Sequence, residues 1–277
     1  MKLRINLLFA FLLLFFGRNT FAQNPKFHIY LCLGQSNMEG SAKIEAQDTI
    51  LVNDRFQVLE AVDCDNLNRK KGHWYTAVPP LSRCNTGLTP SDYFGREMIA
   101  NLPEDVKVGV INVAVGGCKI ELFDKKNYKT YIRESPDWLK ATVAHYDENP
   151  YGRLVEMAKI AQKDGVIKGI LLHQGESNTN DSLWTKKVKV VYDNLLNDLN
   201  LTAESTPLLA GEVVHADQGG RCASMNAIIA ALPQTIPNSY VISSSGCPDA
   251  EDNLHFTAEG YRMLGKRYAS KMLEILK

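Results

Sequence analysis

The fold is decided by residues 31–39, which have the sequence LCLGQSNME. The apolar run over residues 27–33 predicts a buried strand that breaks at Gly34 and is followed by Ser36. Open α/β sheets bind ligands beyond the carboxyl ends of their strands, and Ser36 falls at such a position. Because a serine hydroxyl is a poor nucleophile without a base, a catalytic Ser36 requires one from elsewhere in the chain. The alternative is that Ser36 only caps the helix that follows.

Further apolar segments alternate with helical patterns along the rest of the chain. This alternation predicts an α/β fold in which helices cover both faces of a parallel sheet of about five strands. No internal repeat or linker divides the sequence, so residues 23–277 are predicted to form a single domain, with a small hairpin within residues 52–62. The predicted strands are Phe27–Leu33, Val106–Val115, Val166–Leu172, Pro207–Val214 and Ser239–Ser244.

Residues 1–22 have the pattern of a signal peptide. Lys2 and Arg4 precede an apolar run over residues 7–16, which is too short to span a bilayer. Ala22 supplies the small residue expected at a cleavage site, so we predict cleavage after it. The pattern predicts export to the periplasm or the exterior without stable membrane insertion. The alternative is an uncleaved anchor.

The composition is that of a chain able to bury a substantial core, with 45% hydrophobic and 22% charged residues. The 31 basic and 31 acidic residues balance. The predicted leader contains three of the basic residues, so the mature chain carries a net charge of about −3. No basic stripe is present, and we therefore expect no nucleic-acid partner. The oligomeric state is not predicted.

The six cysteines suggest at most a few disulfides in an exported domain. Cys32 lies inside the first predicted strand and is expected to be a free packing residue. Two pairs, Cys64 with Cys84 and Cys222 with Cys247, lie in or beside loop-like sequence and are candidate bridges. No two cysteines have the spacing of a zinc or redox motif, so neither kind of site is expected.

Three later segments place polar or glycine residues where they can meet Ser36. They are GG at residues 116–117, HQGE at 173–176 and DAEDNLHF at 249–256. Asp252 and His255 are three residues apart, a spacing that lets the carboxylate accept the Nδ1 hydrogen of the imidazole. The other ring nitrogen would then face outward as a base, and the three residues together have the chemistry of a catalytic triad.

A tetrahedral intermediate also needs hydrogen-bond donors for its oxyanion. The candidates are the backbone N–H groups of Ser36 and Gly117 and the side-chain amide of Gln174, although residues 116–117 alone would also fit a plain tight turn. Three roles are open for Glu176: a supporting carboxylate, the acid partner of the imidazole in place of Asp252, or an acceptor that holds its own loop.

These four motifs resemble one branch of the SGNH hydrolases. The sequences GQSNM, VINVAVGG, HQGE and DNLHF occur in order, each at a strand end, and are similar to the sialate O-acetylesterase and acetylxylan esterase branch, also described as carbohydrate esterase family six. The resemblance extends from about Phe27 to the last helix. It implies a three-layer, flavodoxin-like fold and hydrolysis of acetyl esters of sugars without a metal or other cofactor.

The resemblance also implies roles for individual residues. Ser36 is the nucleophile, His255 the base and Asp252 its orienting acid. The oxyanion hole is formed by Ser36, Gly117 and Gln174. Three further residues of the motifs are candidates for supporting the site, namely Gln35, Asn37 and Glu176.

An acetyl ester needs only a shallow acyl pocket, so the sugar must be held by other residues. We expect the irregular segment 43–87 to hold it, with Trp74 as a stacking surface and Gly87 nearby. The predicted function is that of an exported carbohydrate O-acetylesterase acting on acetylated xylan or another glycan, with a sialate O-acetylesterase as the alternative. A lipid esterase and a non-catalytic glycan-binding protein are the alternatives of other classes.

Overall fold

The apolar segments form one seven-stranded sheet in the computed structural model, which describes residues 23–277. The predicted signal peptide lies outside the described residues. The strand order is β3-β2-β4-β1-β5-β6-β7, and every neighbouring pair is parallel except β2 and β3. The strands are β1 (Asn24–Gly34), β2 (Phe56–Leu59), β3 (Trp74–Thr76), β4 (Lys107–Ala114), β5 (Gly165–His173), β6 (Leu208–Gly211) and β7 (Ser239–Ile242).

Helices cover both faces of this sheet, as parallel strands buried on both sides require. The layer containing α6 and α7 packs on one face, and the layer containing α3 and α10 packs on the other. No helix among residues 23–277 is long and apolar enough to cross a bilayer. The helices are α1 (Ser36–Glu39), α2 (Ala46–Thr49), α3 (Pro90–Asn101), α4 (Tyr128–Glu134), α5 (Asp137–Ala144), α6 (Pro150–Ala161), α7 (Trp184–Leu199), α8 (Met225–Ala230), α9 (Leu232–Thr235) and α10 (Ala258–Ile275).

Strand β1 lies at the centre of the sheet and determines where the site forms. Its side chains alternate between the two cores, with Leu31 facing α6 and α7 and Tyr30 facing α3 and α10. At its carboxyl end, Gly34 is paired with Ala114 of β4 and with His173 of β5. The loops that leave these three strands therefore begin side by side at one edge of the sheet.

The sheet has two more strands than expected, and the predicted hairpin within residues 52–62 is wrong. Instead β2 pairs in parallel with β4, and β3 pairs antiparallel to β2 at the edge. Both strands are only three or four residues long, which is too short for an alternating pattern to be recognised in the sequence. Burial in the core stabilises β2, because Phe56 and Val58 are fully buried.

One of the two candidate disulfides is present. Cys64 and Cys84 are bonded, with their sulfurs 2.10 Å apart, which confirms the first pair. Cys32 is free and buried, as predicted. The pairing of Cys222 with Cys247 is wrong, since both are free. Cys222 packs against the core on the α7 side of the sheet, whereas Cys247 belongs to the core on the α10 side.

Candidate active site

Ser36 is presented by a sharp turn at the end of β1. Gly34 has a φ of +152°, and a Cβ there would lie 2.0 Å from the carbonyl oxygen of His173, so only glycine fits. The backbone N–H of Gln35 then donates to that same carbonyl at 3.0 Å. Helix α1 starts immediately at Ser36, and the side chain of this residue lies at the edge of the sheet where the ends of β4 and β5 also meet.

Ser36, His255 and Asp252 form a continuous hydrogen-bonded chain. His255 Nε2 lies 2.8 Å from Ser36 Oγ, and His255 Nδ1 lies 2.6 Å from Asp252 Oδ2. The other carboxylate oxygen accepts from the backbone N–H groups of Leu254 and His255, each at 3.0 Å. Burial raises the pKa of Asp252, but the hydrogen bonds from His255 and Leu254 outweigh it and lower that pKa to about 2. A charged Asp252 holds the proton on Nδ1 and leaves the lone pair of Nε2 directed at the serine.

Glu176 supports the site through Asn37 and does not contact the imidazole of His255. Its Oε1 accepts a hydrogen bond from Asn37 Nδ2, which also donates to the carbonyl of Leu254 at 3.0 Å. The hydroxyl of Tyr261 donates to Asn37 Oδ1 at 2.6 Å and so fixes the orientation of that amide. Of the two acids considered as partners of His255, Asp252 is the one that contacts the ring. Burial raises the pKa of Glu176.

The other histidine near this edge is a buried neutral group. His173 is fully buried, and burial lowers its pKa to about 3. Its Nε2 lies 3.9 Å from Glu176 Oε1, beyond hydrogen-bond distance. Within residues 23–277 there is no group of three or more His, Cys, Asp and Glu side chains placed to hold a metal ion.

An open cleft of about 450 Å³ leads to the serine. The N–H groups of Ser36 and Gly117, both predicted oxyanion donors, donate to no acceptor among the described residues. Gly117 has a left-handed φ of +68°, and the hydroxyl of Ser177 donates to its carbonyl at 2.9 Å, which holds this loop in place. The cleft is lined by Gln35, Ser36, Gly116, Gly117, Glu176, Ser177, Cys222, Leu254 and His255.

Gln174 does not line this cleft, which corrects its predicted role as an oxyanion donor. Its side chain is buried, and Nε2 already faces acceptors on Asn178, Gln35 and Cys118 at 2.7, 3.2 and 3.3 Å. Its Oε1 accepts from the indole N–H of Trp184 at 2.5 Å. The amide therefore has no hydrogen left for a ligand, because Trp184 draws it into the core under α7.

Gln35 is only 2% exposed, but among the described residues that line the cleft it carries the one side-chain amide. Its Oε1 accepts from the backbone N–H of Ser177 at 3.1 Å and from Gln174 at 3.2 Å. A backbone N–H can only donate, so this contact determines which end of the Gln35 amide is the oxygen. Its Nε2 donates to none of the described residues and is not enclosed by them. From the sequence, Gln35 was predicted only to support the site. Its position directly before the nucleophile was the feature that could have indicated a role at the cleft.

Neither predicted sugar-binding residue lies at the cleft. Trp74 packs on Phe27 with ring centroids 4.8 Å apart, and its indole N–H donates to Asp164 at 2.9 Å. Phe27 lies near the amino end of β1 and Asp164 directly precedes β5, opposite the edge that carries the serine, so the predicted stacking role of Trp74 is wrong. The backbone N–H of Gly87 donates to the carbonyl of Gly40 at 2.8 Å, where two loop segments lie close together.

Comparison with known proteins identifies the family. The family model described as "carbohydrate esterase, sialic acid-specific acetylesterase" matches residues 26–274, nearly the whole described chain. The chain belongs to this carbohydrate esterase family. The esterase is similar to a probable carbohydrate esterase of Arabidopsis thaliana, with 26% identity over 264 residues that cover 90% of this chain and 91% of the relative. It is therefore a hydrolase that acts on esters, and acetylated sugars are the substrates that its family implies.

Solved structures share the fold of this esterase. The crystal structure of the Arabidopsis thaliana protein matches with a TM-score of 0.68 at 23% identity, over 91% of this chain and 99% of that one. NanS matches with a TM-score of 0.64 at 13% identity, over 91% and 98% of the two chains. A carbohydrate acetylesterase of Xanthomonas citri matches with a TM-score of 0.61 at 17% identity, over 87% of this chain and 55% of that one. The predicted α/β fold with helices on both faces of the sheet is confirmed, with seven strands in place of about five.

Proposed function

We propose that the protein is an exported carbohydrate O-acetylesterase that works through an acyl-serine intermediate. Ser36 is the nucleophile, His255 the general base and acid, and Asp252 the residue that orients the imidazole. The observation that supports this most directly is the unbroken contact from Asp252 through both ring nitrogens of His255 to Ser36 Oγ. A glycan-binding protein without catalysis would have no need of this arrangement.

The reaction follows from the positions of these groups. His255 Nε2 accepts the proton of Ser36 as Oγ attacks the acetyl carbonyl carbon, and the negative charge of Asp252 stabilises the imidazolium. When the tetrahedral intermediate collapses, the sugar oxygen leaves with the proton from Nε2. A water then gives a proton to the same nitrogen and attacks the acyl-serine. Acetate is released, and Ser36 regains its hydrogen from His255.

Three donors stabilise the oxyanion in this proposal. Two are the backbone N–H groups of Ser36 and Gly117, and the third is the side-chain amide of Gln35 in place of Gln174. Gln174 is then a positioning residue, since it donates to the oxygen of Gln35 and helps to direct Nε2 towards the cleft. Preorganised donors of this kind require no reorientation as the charge develops.

The favoured substrate is acetylated xylan or another acetylated glycan. Among the described residues that line the cleft, only Leu254 and Cys222 have apolar side chains, which suits a short acyl group better than the long apolar chain of a lipid ester. An O-acetylated sialic acid is the second candidate, because the matching family model carries that description. Export is supported by the signal-peptide pattern of residues 1–22.

Acetate release from acetylated xylan, pectin and sialic acids tests this proposal. The wild type should release acetate from at least one glycan, and Ser36→Ala should lose at least about 10³-fold in rate. Mass spectrometry of the protein after brief exposure to p-nitrophenyl acetate should find one acetyl group on Ser36. Equal rates for the wild type and Ser36→Ala would exclude the serine mechanism. N-terminal sequencing of the exported protein should begin at Gln23, and a retained leader would refute cleavage.

A further inference from the structure

Trp138 is a large aromatic side chain that the protein leaves open to solvent. It is 57% exposed, whereas Trp184 is fully buried and Trp74 is half-buried against Phe27. Indole rings are among the side chains that gain most from burial, and an isolated exposed one beside a cleft is a candidate for ligand contact.

The backbone that carries Trp138 is held firmly. Trp138 is the second residue of α5, and the next turn of this helix is anchored in the core by Leu139 and Val143, which are buried. The N–H of Leu139 donates to the carbonyl of Pro136 at 3.0 Å, and the hydroxyl of Thr142 donates to the carbonyl of Trp138 at 3.1 Å. The ring is thus attached to an ordered helix start.

The ring of Trp138 lies against the rim of the cleft. A Cβ placed on Gly117 would be 2.6 Å from Cη2 and 3.2 Å from Cζ3 of the indole, so the ring occupies the space that a side chain at this position would fill. Gly117 lines the cleft together with Ser36. A sugar whose acetyl group reaches Ser36 would therefore extend next to the indole.

The charges around the cleft favour a neutral ligand. None of the described residues that line it is Lys or Arg, and Glu176 contributes a carboxyl group. Arg83 is nearby, but its guanidinium is paired with Glu39 at 2.5 Å, and Glu39 Oε2 lies 2.8 Å from where a Cβ of Gly116 would be. Lys119 and Arg221 are exposed; Arg221 directly precedes the lining residue Cys222, but neither cation is among the residues that line the cleft. A sialic acid would bring a carboxylate to a cleft that offers it no dedicated counter-charge.

We propose that Trp138 is the platform on which a neutral pyranose ring of an acetylated glycan stacks while its acetyl group enters the cleft at Ser36. This inference rests on the proposed esterase function and adds the class of sugar that the site accepts. Apolar faces of pyranose rings cover the indole and remove it from water, whereas a simple aryl acetate has no sugar to place there.

The test compares substrates with and without a sugar. For Trp138→Ala, kcat/KM on acetylated xylo-oligosaccharides should fall by about 10- to 100-fold, mostly through KM, and Trp138→Phe should lose less because it keeps a ring. Both variants should lose clearly less activity on p-nitrophenyl acetate than on the oligosaccharides, because that substrate has no sugar to stack. Val190→Ala is the matched control, because it shortens another exposed apolar side chain on the outside of α7, and it should change neither activity.

Equal activity of Trp138→Ala and the wild type on the oligosaccharides would refute the role of Trp138 as a sugar platform. An equal loss of activity on the oligosaccharides and on p-nitrophenyl acetate would also refute it. A wild type that prefers O-acetylated sialic acid would overturn the assignment of a neutral sugar. Titration of Ser36→Ala with acetylated xylo-oligosaccharide, followed by indole fluorescence, tests the platform even without turnover. A signal change that disappears in Ser36→Ala/Trp138→Ala supports it, and no change refutes it. If the wild type hydrolysed none of the acetate esters tested, the proposed esterase function itself would be refuted.

Discussion

Replacement of Gln35 tests which side-chain amide stabilises the oxyanion. The Oε1 atom of Gln35 is held by the N–H of Ser177 at 3.1 Å and by Gln174 at 3.2 Å, which leaves Nε2 as the end that faces the cleft. Loss of one preorganised donor typically costs about 2.7–4 kcal/mol of transition-state stabilisation, or roughly 10²–10³-fold in kcat. We therefore expect Gln35→Ala to lower kcat on p-nitrophenyl acetate by this factor with a small change in KM.

Gln35→Glu is the sharper variant, because it keeps the oxygen that Ser177 and Gln174 require. It replaces the donor with a carboxylate oxygen, so kcat should fall at least as far as in Gln35→Ala. The two variants should differ in stability. Gln35→Ala leaves the backbone N–H of Ser177 without its acceptor, at a cost of about 1–3 kcal/mol of unfolding free energy, and Gln35→Glu keeps that acceptor. Gln174 Nε2 retains Asn178 and Cys118 as acceptors in both variants. Urea unfolding measures this difference separately from catalysis.

Gln174→Leu is the matched comparison. It removes one of the two donors that hold the oxygen of Gln35 and leaves Trp184 without an acceptor, but the contact from Ser177 remains. We expect a clear loss of stability and a fall in kcat of less than about tenfold. The reasoning is refuted if Gln35→Glu retains wild-type kcat while Gln174→Leu loses about 100-fold, since Gln174 would then be the donor.

Three further predictions concern the acid partner, pH and the disulfide. Asp252→Asn should lower kcat on p-nitrophenyl acetate by roughly 10⁴-fold, because the two backbone N–H groups hold the amide oxygen and an NH2 that cannot accept then faces Nδ1. Glu176→Gln should lower kcat by less than about tenfold, and the reverse order would identify Glu176 as the acid. Burial raises the pKa of Asp92 from 3.8 to about 7, so the folded state holds the proton more tightly and the free energy of unfolding should fall as pH rises through this interval. Urea unfolding between about pH 4 and pH 8 should show this slope, reduced in Asp92→Asn, and an identical slope in the variant would contradict the assignment. Serine at both Cys64 and Cys84 opens a bridge between residues 20 apart and should lower the free energy of unfolding by about 3 kcal/mol, whereas unchanged stability would show that the bridge contributes nothing.

The central strands were predictable because they are buried on both faces. Strands β1, β4 and β5 are continuous apolar runs, and such runs identify parallel strands inside an α/β fold. The edge strands β2 and β3 were not predictable, since they have four and three residues and owe their conformation to pairing with neighbours. The disulfides show the same limit, because Cys222 and Cys247 pack against different cores, and this assignment is made only on folding.

Local sequence was sufficient for the contact between Asp252 and His255, since three residues within one loop bring the carboxylate to the imidazole without help from distant segments. It was also sufficient for the turn at Gly34 that exposes Ser36. Folding was needed to select the amide that faces the cleft, because Gln35 is oriented by Gln174 and Ser177, which are 139 and 142 residues away and become neighbours through the pairing of β1 with β5. Tertiary packing also decided that Trp138 borders the cleft and Trp74 does not, because Trp138 packs beside Gly117 and Trp74 packs on Phe27.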